Sequence, residues 1–328
     1  MRKIILDVDT GTDDAIAIMA AVRASQLELT ALCSVHGNAA VEHTTKNTLN
    51  AAYAAGGGTI PVYPGAADPM VKNLIPSRAN PVEEPILSGT TEINGVVVSI
   101  NPDLLPLKES PYPPQEKPAA LFYVEELRSR EEKVTIVATG AMTNLGLALR
   151  LDPRITEKIE EIVIMGGGVQ KTNITAAAEA NFFKDPEAAA IVLDSGVPIT
   201  ICTLDGTHSC GLTEEHEKRL RGVGTLPAIF TANDVRVRRE SYSRLQPLER
   251  EGTAPIHDAL CIAYLIDPAV ATRTVTAACK VDCSDGISEG RLQVDGRHFR
   301  EGAEVHLILE ADPDKLCDIL VDTFLEEG

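Results

Sequence analysis

Four aspartates fall within eight residues near the start of the chain, in the run Asp7-Val8-Asp9-Thr10-Gly11-Thr12-Asp13-Asp14. A short apolar run precedes them, and a pattern of Ala, Ile and Met typical of a helix follows. Helix capping would explain one or two of the four carboxylates. All four at one strand end would repel one another unless protons or a cation offset the charge, and carboxylate oxygens suit Ca²⁺ or Mg²⁺. The spacing favours a metal site and leaves capping open for some members.

Two other kinds of acidic loop do not fit this run. An EF-hand that began at Asp7 would need Glu at its twelfth position, where Ile18 stands, and Gly at its sixth position, whereas Gly11 is the fifth residue. Phosphatases of the haloacid dehalogenase type also open with a strand and D-x-D, but they normally carry Thr or Val where Gly11 stands. Neither pattern accounts for the double aspartate Asp13-Asp14.

The elements that must position these carboxylates alternate between strands and helices. This alternation predicts an α/β fold with a mostly parallel central sheet flanked by helices, and ligands bind at the carboxyl ends of the strands in such sheets. The predicted strands are Lys3–Leu6, Leu29–Val35, Ile60–Tyr63, Val134–Ala138, Glu161–Met165 and Ile199–Leu204. The predicted helices between them are Asp14–Val22, Glu42–Ala55, Ala119–Arg128, Thr143–Arg150 and Asp185–Leu193.

Two regions depart from the alternation. Residues 65–118 are rich in Pro, Gly and polar side chains, and such a long insertion is commonly a lid or an interface loop. After a helix at Ile256–Leu265, the C-terminal part has the strand-like runs Val275–Asp282, Arg291–Val294 and Ala303–Leu309 and ends in a helix at Pro313–Leu325. Because neither a repeat nor a linker is evident, we expect residues 1–328 to form a single domain.

The composition narrows the classes of partner. The chain has 328 residues and is 44% hydrophobic, so we expect a large core. Its net charge of −18 would repel nucleic acid and anionic membranes, so we expect neither as a partner. It lacks both a secretory leader pattern and an apolar segment of membrane-spanning length, which predicts a cytoplasmic protein. The seven cysteines are scattered and form no CxxC pair, which predicts free thiols.

The aspartate run resembles the D-x-D-x-G-x-D-D-A motif of the inosine-uridine nucleoside hydrolase family. Further matches to that family occur in order over roughly residues 1–270 and are weakest across the insertion. They lie at Gly37-Asn38, Thr139-Gly140, Thr143-Asn144-Leu145, Met165-Gly166-Gly167-Gly168, Asn173, Glu179, Asn181, Asp185-Pro186-Glu187-Ala188, Leu204-Asp205-Gly206-Thr207-His208 and His257-Asp258. The resemblance implies a Rossmann-like nucleoside hydrolase fold.

The resemblance also implies an activity and a metal. Family members cleave the N-glycosidic bond of ribonucleosides to ribose and a free base, so the implied partner is a small-molecule nucleoside. Ca²⁺ would be held by Asp9, Asp14, Asp258 and the backbone carbonyl of Thr139, which is an oxygen-only donor set. Asp9 would also act as the general base on the attacking water. Family members commonly form homodimers or homotetramers.

The same resemblance implies how the nucleoside is held. Asp13 and Asn181 would bind the ribose hydroxyls, and Asn173 and Glu179 would bind the ribose toward its 5′ end. Asn38 would lie in the ribose pocket.

Roles are also expected for His257, Asp7 and His208. His257 would protonate the departing base, because His can supply a proton near neutral pH. Asp7 would stand behind the other aspartates. His208 is expected to be a structural hydrogen-bonding residue.

One position departs from the family pattern. Many members carry a His-Gly pair after the third strand, and its counterpart here is Asn94-Gly95. Asn94 could still hydrogen-bond the 5′ side of the nucleoside. Base contacts are expected from mobile segments at 75–100 and 225–250, with Tyr242 and Arg244 as candidates.

Two alternative functions compete with the hydrolase. The first is a nucleoside- or ribose-binding protein without catalysis, which the presence of Asp9 and of the full ligand set disfavours. The second is a metal-dependent phosphatase that uses Asp7 and Asp9, which Gly11 and the downstream pair His257-Asp258 disfavour.

Overall fold

The structure is a computed structural model that describes residues 1–79, 90–93, 96–297 and 301–325. The strands are β1 Arg2–Val8, β2 Leu27–Ser34, β3 Val62–Tyr63, β4 Thr90–Ile93, β5 Val96–Ser99, β6 Val134–Ala138, β7 Ile159–Met165, β8 Ile199–Cys202, β9 Ala271–Val281, β10 Leu292–Asp295 and β11 Ala303–Ala311. The helices are α1 Thr12–Arg23, α2 Val41–Ala54, α3 Ala119–Ser129, α4 Thr143–Leu151, α5 Ala180–Lys184, α6 Pro186–Leu193, α7 Leu204–Ser209, α8 Glu214–Val223, α9 Leu226–Leu245, α10 Ala259–Ile266 and α11 Pro313–Leu325.

Nine of these strands form one sheet in the order β10-β9-β11-β8-β7-β6-β1-β2-β3. Every pairing from β3 across to β11 is parallel, and only β11–β9 and β9–β10 are antiparallel. β4 and β5 form a separate antiparallel pair. The predicted α/β class with a mostly parallel sheet is therefore confirmed.

Helices cover both faces of the sheet, which explains why β1 is apolar on both sides. Ile4 and Leu6 pack into the core under α1, α2 and α8–α11, whereas Ile5 packs into the core under α3, α4 and α6. Successive residues of a strand point to opposite faces, so Asp7 lies on the side of Ile5. Asp7 therefore points away from the face that α1 covers.

The strand order reverses at β1. The chain runs from β1 to β2 and β3 on one side and then returns to pair β6 on the other side of β1. In open α/β sheets, the crevice at such a switch point is where ligands bind. Asp9 directly follows β1 and Thr139 directly follows β6, so both residues lie at this crevice.

Several predicted element boundaries need correction. β1 extends through Val8, so Asp7 lies inside the strand instead of in the acidic loop, and Thr139 N extends that ladder by donating to the Asp7 carbonyl at 2.8 Å. Leu204 opens α7 and is not part of the preceding strand. No helix is predicted within 225–250, yet most of that segment is the 20-residue helix α9. Polar and charged side chains are buried on α9, which obscures its helical pattern in the sequence.

The structure also bears on the predictions for the insertion at 65–118 and for the cysteines. The described parts of 65–118 are largely irregular, with one short 3₁₀ turn at Lys72–Leu74 and the β4–β5 pair. All seven cysteines are free thiols. Asn94 and Gly95 lie outside the described residues. Within the described ranges, no helix is both long and apolar enough to cross a membrane.

A buried ion-pair cluster fixes the start of the insertion to the helices beside the crevice. The Arg78 guanidinium donates to Glu289 through Nε at 2.8 Å and to both carboxylate oxygens of Glu187 at 2.6 and 3.1 Å. Lys72 Nζ lies 3.2 Å from Glu289 and donates to the carbonyl of Phe183 at 2.8 Å. Because Phe183 belongs to α5, this cluster ties the insertion to that helix.

We predict that Arg78→Met lowers the free energy of unfolding by about 3 kcal/mol or more, because it leaves two acidic partners without their guanidinium. The matched control is Arg2→Met, which breaks an ion pair with Glu161 that is largely exposed and should cost under about 1 kcal/mol. Urea denaturation of both variants measures the difference. Equal losses would contradict the role given to the cluster.

Candidate active site

Asp9 is held at the end of β1 by two glycines that let other loops approach it. A Cβ on Gly37 would lie 1.8 Å from Asp9 Oδ2, and a Cβ on Gly140 would lie 2.9 Å from both Asp9 Cβ and the Asp9 backbone nitrogen. Only glycine fits at such contacts. The Gly37-Asn38 and Thr139-Gly140 pairs seen in the sequence therefore bring their loops against Asp9.

Asn38 links two of the aspartates. Its backbone N–H donates to Asp9 Oδ2 at 2.9 Å. Its side-chain Nδ2 donates to Asp9 Oδ1 at 3.3 Å and to Asp14 Oδ2 at 3.2 Å. One amide group therefore fixes the separation of the Asp9 and Asp14 carboxylates.

Asp13, Asp14 and Asp258 form the tightest acidic cluster among the described residues. One oxygen from each lies within 4.8 Å of the others, and all three side chains are buried. Asp14 also accepts from the backbone N–H of Gly11 at 3.0 Å and from the Thr139 hydroxyl at 2.7 Å. Residues separated by more than 240 positions thus converge, since Asp258 precedes α10 and Asp13 and Asp14 open α1.

The buried carboxyl groups of Asp9, Asp14 and Asp258 are costly to keep ionised. Burial is the largest cause that raises the pKa of Asp9, Asp14 and Asp258 above their ordinary values. Repulsion from the neighbouring carboxylates raises the pKa of Asp14 and Asp258 further. A divalent cation would remove this penalty, and carboxylate oxygens are donors that suit a hard cation. The residues present therefore fit a bound divalent metal ion.

Arg238 is a site residue that the sequence analysis missed. It is fully buried on α9, and its Nη2 donates to Asp13 Oδ1 at 2.6 Å and to the Thr12 hydroxyl at 2.9 Å. Its Nε donates to Asp234 Oδ2 at 2.8 Å, one helical turn earlier. The spacing of Asp234 and Arg238 was the available signal, but it is also the spacing of an ordinary exposed helix pair.

The short helix α5 presents the residues expected to bind ribose. Glu179 caps it by accepting from the backbone N–H groups of Asn181 and Phe182, and it also accepts from Gly167 N at 2.8 Å. Asn173 Oδ1 accepts from Ala180 N at 2.9 Å. These bonds fix where α5 begins.

Asn181 and Glu179 have further features that bear on the pocket. The Asn181 side chain reaches the loop after β6, where Nδ2 donates to the Thr139 carbonyl at 2.6 Å. Burial raises the pKa of Glu179 to about 7.

Lys184, at the end of α5, is a second residue that the sequence analysis missed. Its Nζ donates to Asp9 Oδ2 at 3.3 Å, and its side chain is 17% exposed. The signal was a lone lysine between Asn181 and the Asp185-Pro186 pair, which the sequence could not distinguish from a surface lysine. It lines the same pocket as the aspartates.

The pocket unites nearly all the predicted site residues that the structure describes. Its lining comprises Asp9, Asp13, Asn38, Thr139, Met165, Asn173, Glu179, Ala180, Asn181, Lys184, Tyr242, His257 and Asp258. Asp14 lies behind this surface in the acidic cluster. Asp7 is buried beyond it and accepts from the Tyr123 hydroxyl and from Asn144 Nδ2, both at 3.0 Å.

His257 is enclosed by hydrogen-bonding partners. Its Nε2 lies 2.8 Å from the Tyr242 hydroxyl and its Nδ1 lies 2.8 Å from the Thr207 hydroxyl. Burial, followed by the charges of His208 and Arg238, lowers the pKa of His257 well below its ordinary value. The imidazole is therefore neutral at pH 7.

Of the two candidates for base contacts, Tyr242 lines the pocket and Arg244 does not. Tyr242 is buried beside His257 and lines the pocket. Arg244 is exposed and pairs with Glu240 at 3.8 Å, so it is not a pocket residue in this structure. Position 242 faces inward and position 244 outward because α9 turns by about 100° per residue.

The chain matches a known protein family over most of its length. Residues 4–318 match the family model described as inosine-uridine preferring nucleoside hydrolase. The chain belongs to this family. It is 33% identical to the inosine-uridine preferring nucleoside hydrolase of Leishmania major over 100% of this chain and 98% of that protein. It is 34% identical to a pyrimidine-specific ribonucleoside hydrolase of Escherichia coli O1:K1 over 97% of each chain.

Solved structures of nucleoside hydrolases share the fold. A purine-preferring ribonucleoside hydrolase from Gardnerella vaginalis superposes with a TM-score of 0.81 at 27% identity and covers 99% of each chain. A plant nucleoside hydrolase superposes with a TM-score of 0.80 at 25% identity, also over 99% of each chain. The predicted nucleoside hydrolase fold and family are therefore confirmed.

We predict that Gly37→Ala cuts turnover of a nucleoside substrate by about 100-fold, because the added methyl group would displace the Asp9 carboxylate. Gly222→Ala is the matched control, since a Cβ there meets nothing within 4 Å. Steady-state kinetics on the two folded variants gives the comparison. Wild-type turnover by Gly37→Ala would show that Asp9 is not constrained as described.

Proposed function

We propose that the chain hydrolyses the N-glycosidic bond of ribonucleosides, purine or pyrimidine or both, to ribose and a free base with Ca²⁺ as cofactor. The observation that carries this proposal is that Asp13, Asp14 and Asp258 cluster within 4.8 Å of one another, while Asp9 and Thr139 line the same pocket as Asp13 and Asp258. Family membership supports a nucleoside as substrate. The relatives differ in base preference, so the preferred base is left open.

The metal ion would be held by Asp9, Asp14, Asp258 and the carbonyl of Thr139. When bound, it would supply positive charge that orients the sugar hydroxyls and makes a bound water more acidic. Support for this shell comes from its all-oxygen chemistry and from the raised pKa of its three carboxyl groups, which a cation would relieve.

Asp9 would act as the general base. Three donated hydrogen bonds from Asn38 and Lys184 favour its ionised form, which is the form that accepts a proton from water. Its position at the end of β1 between two loops gives it little freedom to move. A base must be both ionised and correctly placed, and these contacts support both conditions.

Asp13, Asn181, Asn173 and Glu179 would bind the ribose, with Asn38 beside them. Cleavage of the bond develops positive charge on the sugar, as in other glycoside hydrolyses. Fixed carboxylate and amide oxygens around the ring would stabilise that charge without having to reorganise. Arg238 supports this arrangement because it holds the Asp13 carboxylate in one orientation.

His257 would assist departure of the base together with Tyr242. Because the imidazole is neutral at pH 7, it would not donate as an imidazolium ion. With Nε2 protonated, it would donate to the Tyr242 oxygen, and the phenol proton could then pass to the departing base. This assignment keeps His257 in the leaving-group role and adds Tyr242 as the group that contacts the base.

We also propose that residues 1–328 form a single domain, that the chain forms a homodimer or homotetramer, and that it is cytoplasmic. These proposals rest on the resemblance and the composition.

The phosphatase alternative is weakened because Asp7 accepts hydrogen bonds from Tyr123 and Asn144 and does not line the pocket with Asp9.

We predict that ribose is released from at least one member of a panel of purine and pyrimidine ribonucleosides and that excess chelator abolishes this release. Added Ca²⁺ should restore it. A reducing-sugar assay on purified protein provides the measurement, with a phosphate monoester included to test the phosphatase alternative.

The control for this panel is Asp9→Asn, prepared in the same way, which excludes a contaminating hydrolase. Loss of the general base should reduce turnover by about 10²–10⁴-fold while nucleoside binding stays measurable. No ribose from any nucleoside, with nucleoside still bound, would favour the binding-protein alternative over the hydrolase.

A further inference from the structure

Lys184 places a positive charge on a carboxylate that is also expected to hold the metal ion. Its Nζ lies 3.3 Å from Asp9 Oδ2. Asp9 itself is almost fully buried, with a side chain that is 2% exposed. Among the described residues that line the pocket, Lys184 is the only lysine or arginine.

The hydrogen bonds of Asp9 leave limited room for another cation. A carboxylate offers about four lone-pair sites. Oδ2 accepts from the Asn38 backbone and from Lys184, and Oδ1 accepts from the Asn38 side chain. A metal ion at Asp9 would therefore use the remaining position on Oδ1 or displace the lysine from Oδ2.

In the first arrangement two positive charges share one carboxylate, and in the second the ion must break the contact between Lys184 and Asp9. Charges a few ångströms apart repel strongly where water is scarce, and salt screens such partly buried pairs only weakly. The acidic cluster around Asp14 and Asp258 offsets part of this repulsion but does not remove it. Lys184 therefore opposes the binding of a second cation at Asp9.

The position of Lys184 on α5 adds a connection to the sugar pocket. Asn181, three residues earlier on the same helix, donates to the Thr139 carbonyl, which is another expected metal ligand. One five-residue helix thus contacts two of the four expected ligand groups. Lys184 is held in place by this helix, whose start Glu179 fixes.

We propose that Lys184 sets the affinity of the site for divalent ions: it shares the Asp9 carboxylate with the ion, and its charge weakens ion binding. The inference rests on the metal site of the proposed function. It assigns Lys184 a positioning role at Asp9 and does not make it a catalytic residue.

Lys184→Met removes the charge and keeps a side chain of similar length, so it should bind Ca²⁺ at least tenfold more tightly than the wild type. Lys184→Arg keeps the charge and should stay within about threefold of the wild type. Isothermal titration calorimetry gives the affinities, and the rise in melting temperature with added Ca²⁺ provides a second readout that does not depend on turnover.

Two further variants serve as controls. Lys218→Met removes a positive charge from an exposed pair with Glu214 and should leave Ca²⁺ affinity unchanged, which excludes an effect of net charge alone. Lys184→Gln is a second charge-removing variant in case Lys184→Met does not fold, and the same tightening is expected of it.

Equal or weaker Ca²⁺ binding by the charge-removing variants, with measurable binding by the wild type, would overturn the role of Lys184 and leave the metal site intact. Binding by Lys184→Met where the wild type binds too weakly to detect would support the inference. Absence of binding in the wild type and in every variant would overturn the metal site, and with it this inference.

Discussion

Repulsion among buried carboxylates at the end of β1 is the constraint on which the site depends. Asp9, Asp13, Asp14 and Asp258 are all buried, and removing them from water raises the pKa of three of them. A fold can keep such a group only if nearby donors and cations compensate the charge. The donors around the pocket, together with the proposed metal ion, meet that requirement.

The compensation comes from distant parts of the chain. Arg238 on α9 and Lys184 on α5 each contact one of these four aspartates, and the Asn38 amide contacts two. The strand order reverses at β1, which places the loops after β1, β2 and β6, and with them Asn38, at one crevice. The same contacts that make the carboxylates tolerable also fix their orientation, so stability and chemistry have a common origin here.

The sequence predicted the parallel strands because the alternating runs are a local signal, and the aspartate run itself indicated a metal site. Thr139 and Asp258 became candidates only through the resemblance to the family, because each looks ordinary in isolation. Arg238 and Lys184 were missed since their roles depend on tertiary contacts, and each looks like an exposed helix residue in isolation. α9 was missed for the same reason, because buried polar side chains disturb the pattern that marks a helix.

The most direct test of the central claim is where a divalent ion binds. An anomalous-scattering map from crystals grown with Ca²⁺ should place one ion about 2.3–2.6 Å from oxygens of Asp9, Asp14 and Asp258 and from the carbonyl of Thr139. An ion bound at other residues, or a crevice without an ion at saturating Ca²⁺, would contradict the account.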